Sequence, residues 1–216
     1  MDGYKRNQVM EAISQLSEPA ANAPSASLET KLKRLLERDR ALGRSPRSSD
    51  PERANYAFFS AEAPGSGVEI WFSAYEAFAL YTALRLLEHG WPQTAVVSVL
   101  RRARSKLEPK HAEILGWDAV KLFDEEQIRK LAKPGMLATS TTRPVFLVIV
   151  SRQGRPKERD PDDTREVEIL EESEVMPFLR REAGLSATNF ELVGAAHNLN
   201  RALLKTTPTS RGRGSG

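Results

Sequence analysis

The 216-residue chain contains no cysteine. That excludes disulfides, thiolate metal centres and cysteine nucleophiles, and it fits a reducing compartment. Histidine is scarce: His89, His111 and His197 stand far apart, without the spacing of a ligand set, so neither a metal nor another cofactor is expected. A glycine-rich phosphate loop is missing too, because Gly65-Ser66-Gly67 reads as turn chemistry. Asp160, Asp162 and Asp163 lack the glycine and terminal glutamate of a cation-binding loop. No serine has an evident base partner, so the chain is not expected to be an enzyme. The longest apolar run, Val145 to Val150, is too short to cross a bilayer, and no charged start leads into an apolar stretch. The expectation is a cytoplasmic protein with no membrane partner.

What the chain has in quantity is locally concentrated positive charge. The net charge is only +3, but Lys31 to Arg53 holds eight basic residues against four acidic, and Arg101 to Lys110 five against one. Local excess of this kind can steer a polyanion even in a nearly balanced chain.

Periodicity supplies the elements. Tyr4 to Leu16 places Val9, Ala12, Ile13 and Leu16 on one helical face, with Lys5, Arg6, Asn7 and Gln8 in the first turn. Glu18 to Ala26 reads as a loop, and Ser27 as the cap of a basic helix, Leu28 to Leu42. Leu28, Leu32, Leu35, Leu36 and Leu42 form the buried side of that helix; Lys31, Lys33, Arg34, Arg38 and Arg40 lie outside it. Asn55 to Phe72 suggests a hairpin turning at Ala63-Pro64-Gly65-Ser66-Gly67. Ser73 and Glu76 have capping-box spacing for the next helix. Gly90 and Pro92 separate it from another, whose Arg101, Arg102, Arg104 and Lys106 are expected at an exposed end.

The second half differs in character. Asp124 and Gln127 repeat the capping-box spacing before a short helix. Pro144 to Ser151 reads as a strand buried on both faces, Glu166 to Leu170 as a second strand and Asn189 to Val193 as a third. Helices are expected over Glu174 to Ala183 and Ala195 to Lys205, and a mobile charged loop over Arg152 to Arg165. The implied organisation is α+β: a unit over 1–116, a linker with a short helix over 117–141, a small α+β unit over 142–206 and a disordered tail over 207–216.

Taken in order, helix, basic helix, hairpin and helix pair resemble the DNA-binding domain of the MerR family of bacterial regulators. Tyr4 stands at the opening of the first helix, Lys31 to Arg40 supply the second, Phe72-Ser73-Ala74-Tyr75-Glu76 with Leu80 matches the third-helix start, and Gly90 the break before the fourth. The likeness covers about half the chain. The links at Glu18 to Ala26 and Arg44 to Arg53 are longer than the family's pattern, and no heptad run follows the fourth helix. What the resemblance implies is a winged helix-turn-helix that reads double-stranded DNA as a transcriptional regulator, as a homodimer.

The residues support a nucleic-acid reading on their own chemistry. Lys31, Lys33, Arg34 and Arg38 suit guanine edges and phosphates in a major groove, with Thr30 near the helix start. Lys5, Arg6, Asn7 and Gln8 would hold backbone at a helix N-terminus, and Arg44, Arg47 and Arg53 would flank the wing. The 142–206 unit would serve dimerisation or contact a protein partner. The alternative is a protein–protein adaptor whose basic helices dock on an acidic partner.

Overall fold

The computed structural model describes residues 3–21, 23–63, 69–132, 140–152, 166–181 and 185–208. Strand β1 (Tyr4–Lys5) leads into helix α1 (Arg6–Ser17), which buries Val9, Ala12 and Ile13. Helix α2 (Ala26–Leu42) starts two residues earlier than Ser27 would place it. Its cap is Ser25, whose hydroxyl accepts from the Leu28 amide at 3.1 Å. The Glu18 carboxylate accepts from the Ser25 hydroxyl at 2.7 Å and the Ser25 amide at 3.2 Å, pinning together the two ends of the link between the helices. Those bonds hold its carboxyl below the usual range. Gly43, with φ near 60°, closes α2 in a conformation that other residues rarely adopt.

The expected hairpin is not formed by the residues described on either side of its turn. After the short helix α3 (Pro51–Ala54), Tyr56, Ala57, Phe58 and Phe59 are all buried in an irregular arch rather than alternating along a strand. Side chains, not a ladder, satisfy that backbone: Asp39 accepts from the Phe58 amide at 2.9 Å, and Arg104 donates to the Tyr56 and Phe59 carbonyls at 3.0 and 2.7 Å. Strand β2 (Trp71–Phe72) pairs with β1 instead, Tyr4 opposite Phe72. Pro64 to Gly67 of the expected turn lie outside the described residues.

Helix α4 (Ala74–Glu88) begins with the expected capping box. The Ser73 hydroxyl accepts from the Glu76 amide at 3.1 Å, and the Glu76 carboxylate accepts from the Ser73 amide at 2.7 Å. Gly90 turns the chain at φ near 83°, and α5 (Gln93–Leu115) runs on through Pro109. Arg101 and Arg104 of α5 are buried, 2% and 6% exposed, rather than at an exposed end. They point inward because α2 and the arch offer carboxylate and carbonyl oxygens there.

Short helices α6 (Ala119–Leu122) and α7 (Glu125–Leu131) follow, the latter capped by Asp124. Strands β3 (Val145–Arg152), β4 (Glu166–Glu171) and β5 (Leu185–Glu191) form an antiparallel sheet with β3 central. Helix α8 (Glu172–Leu179) carries the chain from β4 past β3 to β5, and α9 (Val193–Leu203) ends the fold. The third strand thus lies four residues earlier than its expected start. Glu191 marks its end by turning back, its carboxylate accepting from the Val193 and Gly194 amides at 2.7 and 2.9 Å to start α9. Of the expected charged loop, residues 153–165 lie outside the described residues, as do 133–139 of the linker and 209–216 of the tail.

β3 is buried on both faces, as its continuous apolar run implies. Phe146, Val148 and Val150 pack with Val175 of α8, while Val145, Leu147 and Ile149 join the main core. That core does not part at 117–141. One cluster runs from Val9 of α1 through Leu80, Leu100 and Leu107 to Leu199 and Leu203 of α9. α1 packs chiefly on α9, and the buried Gln8 amide donates to the Thr206 hydroxyl at 3.3 Å. The architecture is α+β, with a helical layer continuous across the expected boundary and backing one face of the sheet.

Candidate nucleic-acid interface

α2 presents a cationic face because its five inward positions, Leu28, Leu32, Leu35, Leu36 and Asp39, are all buried. Lys31, Arg34 and Arg38 are exposed. At ~100° per residue they fall within an arc of about 60° and span roughly 10 Å of helix axis, so they form one stripe. Among the described residues, none of the three is ion-paired to a carboxylate. Lys33 is exposed but lies ~100° round the helix from Arg34, and it leans toward Glu37 at 3.8 Å. Thr30 is exposed beside the stripe, its hydroxyl donating to the Ala26 carbonyl at 2.8 Å.

The Gln93 amide donates to the Arg34 carbonyl at 2.6 Å, which sets the first turn of α5 beside the middle of α2. That turn has no side-chain cap, so its partial positive charge adds to the field of the stripe.

The other expected contacts separate into engaged and open groups. Lys5 pairs with Glu69 at 2.9 Å and lies over the Trp71 ring. Gln8 is buried against Thr206 and cannot face a ligand. Arg6 and Asn7 are half-buried at the start of α1. Arg44 pairs with Glu62 at 2.9 Å and stacks over Tyr56. Arg47 is exposed on the loop leaving α2, and Arg53 is exposed with Asp50 at 3.5 Å. The Arg53 carbonyl accepts from the Ser45 amide at 2.7 Å, so these arginines flank the C-terminal end of α2. Spacing within α2 carries the signal for the stripe. Nothing comparable in the sequence announced the engagement of Lys5, Gln8 and Arg44, whose partners lie at distant positions.

A cleft of about 750 Å³ opens beside β1, β2 and the arch, lined in part by Tyr4, Trp71, Glu62, Glu69 and Glu76. Its carboxylates are all committed: Glu62 to Arg44 and Tyr56, Glu69 to Lys5, Glu76 to the α4 cap. Arg44 holds the Glu62 carboxyl below its usual range. Among the described residues, no cluster of histidine and carboxylate side chains could hold a metal ion, and no helix is long and apolar enough to cross a membrane.

Fold and surface together define a mixed helix-and-sheet protein with an exposed cationic face on α2. No family model, curated protein or solved structure matches the chain.

Proposed function

We propose that this chain is a DNA-binding regulator that engages duplex DNA through the exposed face of α2. The observation that carries the reading is the stripe of Lys31, Arg34 and Arg38: coherent, exposed and without an ion pair to a carboxylate among the described residues. A helix bearing such a stripe fits a major groove, where arginine donates to guanine edges and the flanking cations reach phosphate. The uncapped first turn of α5 favours the same polyanion. Arg47 and Arg53 extend the positive surface beyond the end of α2.

The test is a fluorescence titration of labelled duplex at several salt concentrations, with and without alanine at Lys31, Arg34 and Arg38. Each phosphate contact contributes about 0.9 to the slope of log affinity against log salt, so the triple variant should lower that slope by about 2 to 3. Affinity and slope unchanged by the triple substitution would remove the reading.

A further inference from the structure

The three-stranded sheet has two edges, and the chain treats them differently. Along β4 stand Glu166, Glu168 and Glu171, paired with Arg181 at 3.1 Å, Lys106 at 2.6 Å and Arg143 at 3.2 Å. Helices α5 and α8 both lie against that strand. Charged side chains and a covering helix are the usual means of stopping another strand from adding to an edge.

β5 has no such guard. From Leu185 to Phe190 it reads L-S-A-T-N-F, without a charge or a proline. All seven of its residues pair with β3, and among the described residues nothing pairs with its outer side. α8 lies over β3 and β4, while Ala187 and Asn189, opposite Val150 and Val148 on the same face, are exposed and short. A neighbouring strand could therefore approach without displacing anything described.

The composition of the edge selects the partner. Apart from Glu191, whose carboxylate is taken up by the Val193 and Gly194 amides, a charged extended segment would find no counter-charge along it. A second β5, running antiparallel about Thr188, sets Ala187 against Asn189 and Ser186 against Phe190, twice each. No like charges then face one another, which is the condition for a favourable cross-strand register. The pairing is isologous and closes at two copies. We propose that the outer edge of β5 is a homodimer interface, joining two chains through one continuous six-stranded sheet.

The experiment is light scattering on the full chain across a wide concentration range, with two double variants. Ala187→Lys with Asn189→Lys puts like charges opposite each other at both pairs; Ala187→Glu with Asn189→Glu does the same with the other sign. The unaltered chain should give twice the monomer mass and dissociate on dilution. Each double variant should give the monomer mass, with unchanged circular dichroism. An equimolar mixture of the two should return to the doubled mass, because lysine then faces glutamate, a rescue that misfolded variants cannot show. A monomer at every concentration, dimers persisting in both variants or a mixture that stays monomeric would each overturn the interface. No residue of the α2 stripe and no DNA takes part, so this test and that of the DNA reading fail independently.

Discussion

The imidazole of His111 lies within the helical core, stacked on Phe78 with ring centres 4.5 Å apart and edge-on to Tyr75 at 6.0 Å. Burial, with the nearby His197 adding to it, lowers its pKa from 6.5 to about 4. In the unfolded chain the same ring protonates near its ordinary value. As pH falls from above 6.5 toward 4, the unfolded state takes up a proton that the native state refuses, so stability declines across that window and levels off below it. The loss amounts to at most about 3 kcal/mol. Glu191 works in the opposite sense. Burial raises its carboxyl, so the native state takes that proton more readily than the unfolded one, and acid favours the fold there. The histidine contribution is isolated by comparing urea unfolding of the native chain with that of His111→Phe at a series of pH values. The variant should gain relative stability as pH drops from 7 to 4; parallel curves would remove His111 as the source.

At the scale of elements, two arginines do what a strand ladder was expected to do. Arg101 of α5 donates to the Asp39 carboxylate and to the Asp39 carbonyl, each at 2.6 Å, and to the Glu52 carbonyl at 3.2 Å, tying α2 and α3 to α5. Arg104 holds the arch through its carbonyls. Arg101→Met removes the guanidinium and leaves the fully buried Asp39 without its counter-charge, which should cost about 3 to 5 kcal/mol. Denaturant midpoints measure this, and a loss under about 1 kcal/mol would mean that the Arg101–Asp39 pair contributes little to joining α2 and α3 to α5. The caps at Ser73 and Asp124, the glycine stops and the doubly buried β3 were legible, because each depends on neighbours within a few residues or on a simple run. So was the stripe on α2, fixed by one helix's period. The arch was not. Tyr56, Phe58 and Phe59 look like strand residues, and only the buried oxygens and nitrogens of Asp39 and Arg104 decide otherwise, from 19 to 48 positions away. Arginine is also rarely buried, so residue type argued for the surface. Position argued against it: Arg101 and Arg104 follow Val97 and Leu100 by four residues, on a helix already buried at every position from Ala95 to Leu100.

For the whole molecule, the question is whether the helical half stands without the sheet half. Residue order suggested that it should, since composition changes beyond 117 and the first half has the element order of a self-contained reader. Packing argues the reverse. Val9, Ala12 and Ile13 of α1 are completely buried, and α9 is the main element against α1. Removing α9 would expose that face together with parts of α4 and α5, and burying each large aliphatic chain contributes about 1.5 to 3 kcal/mol. Several such losses exceed the net stability of an ordinary domain, about 5 to 15 kcal/mol. Other links fail with them: His197 of α9 meets the Ile114 carbonyl at 3.0 Å, and Gln8 loses Thr206. The full chain should therefore unfold in one calorimetric transition whose van't Hoff and calorimetric enthalpies agree. A fragment of residues 1–116 should show neither a cooperative transition nor protected amides in α1. Two resolved transitions, or a fragment with native-like protection in α1, would mean that the cluster joining α1 to α9 contributes little, and that the two halves fold as separate units after all.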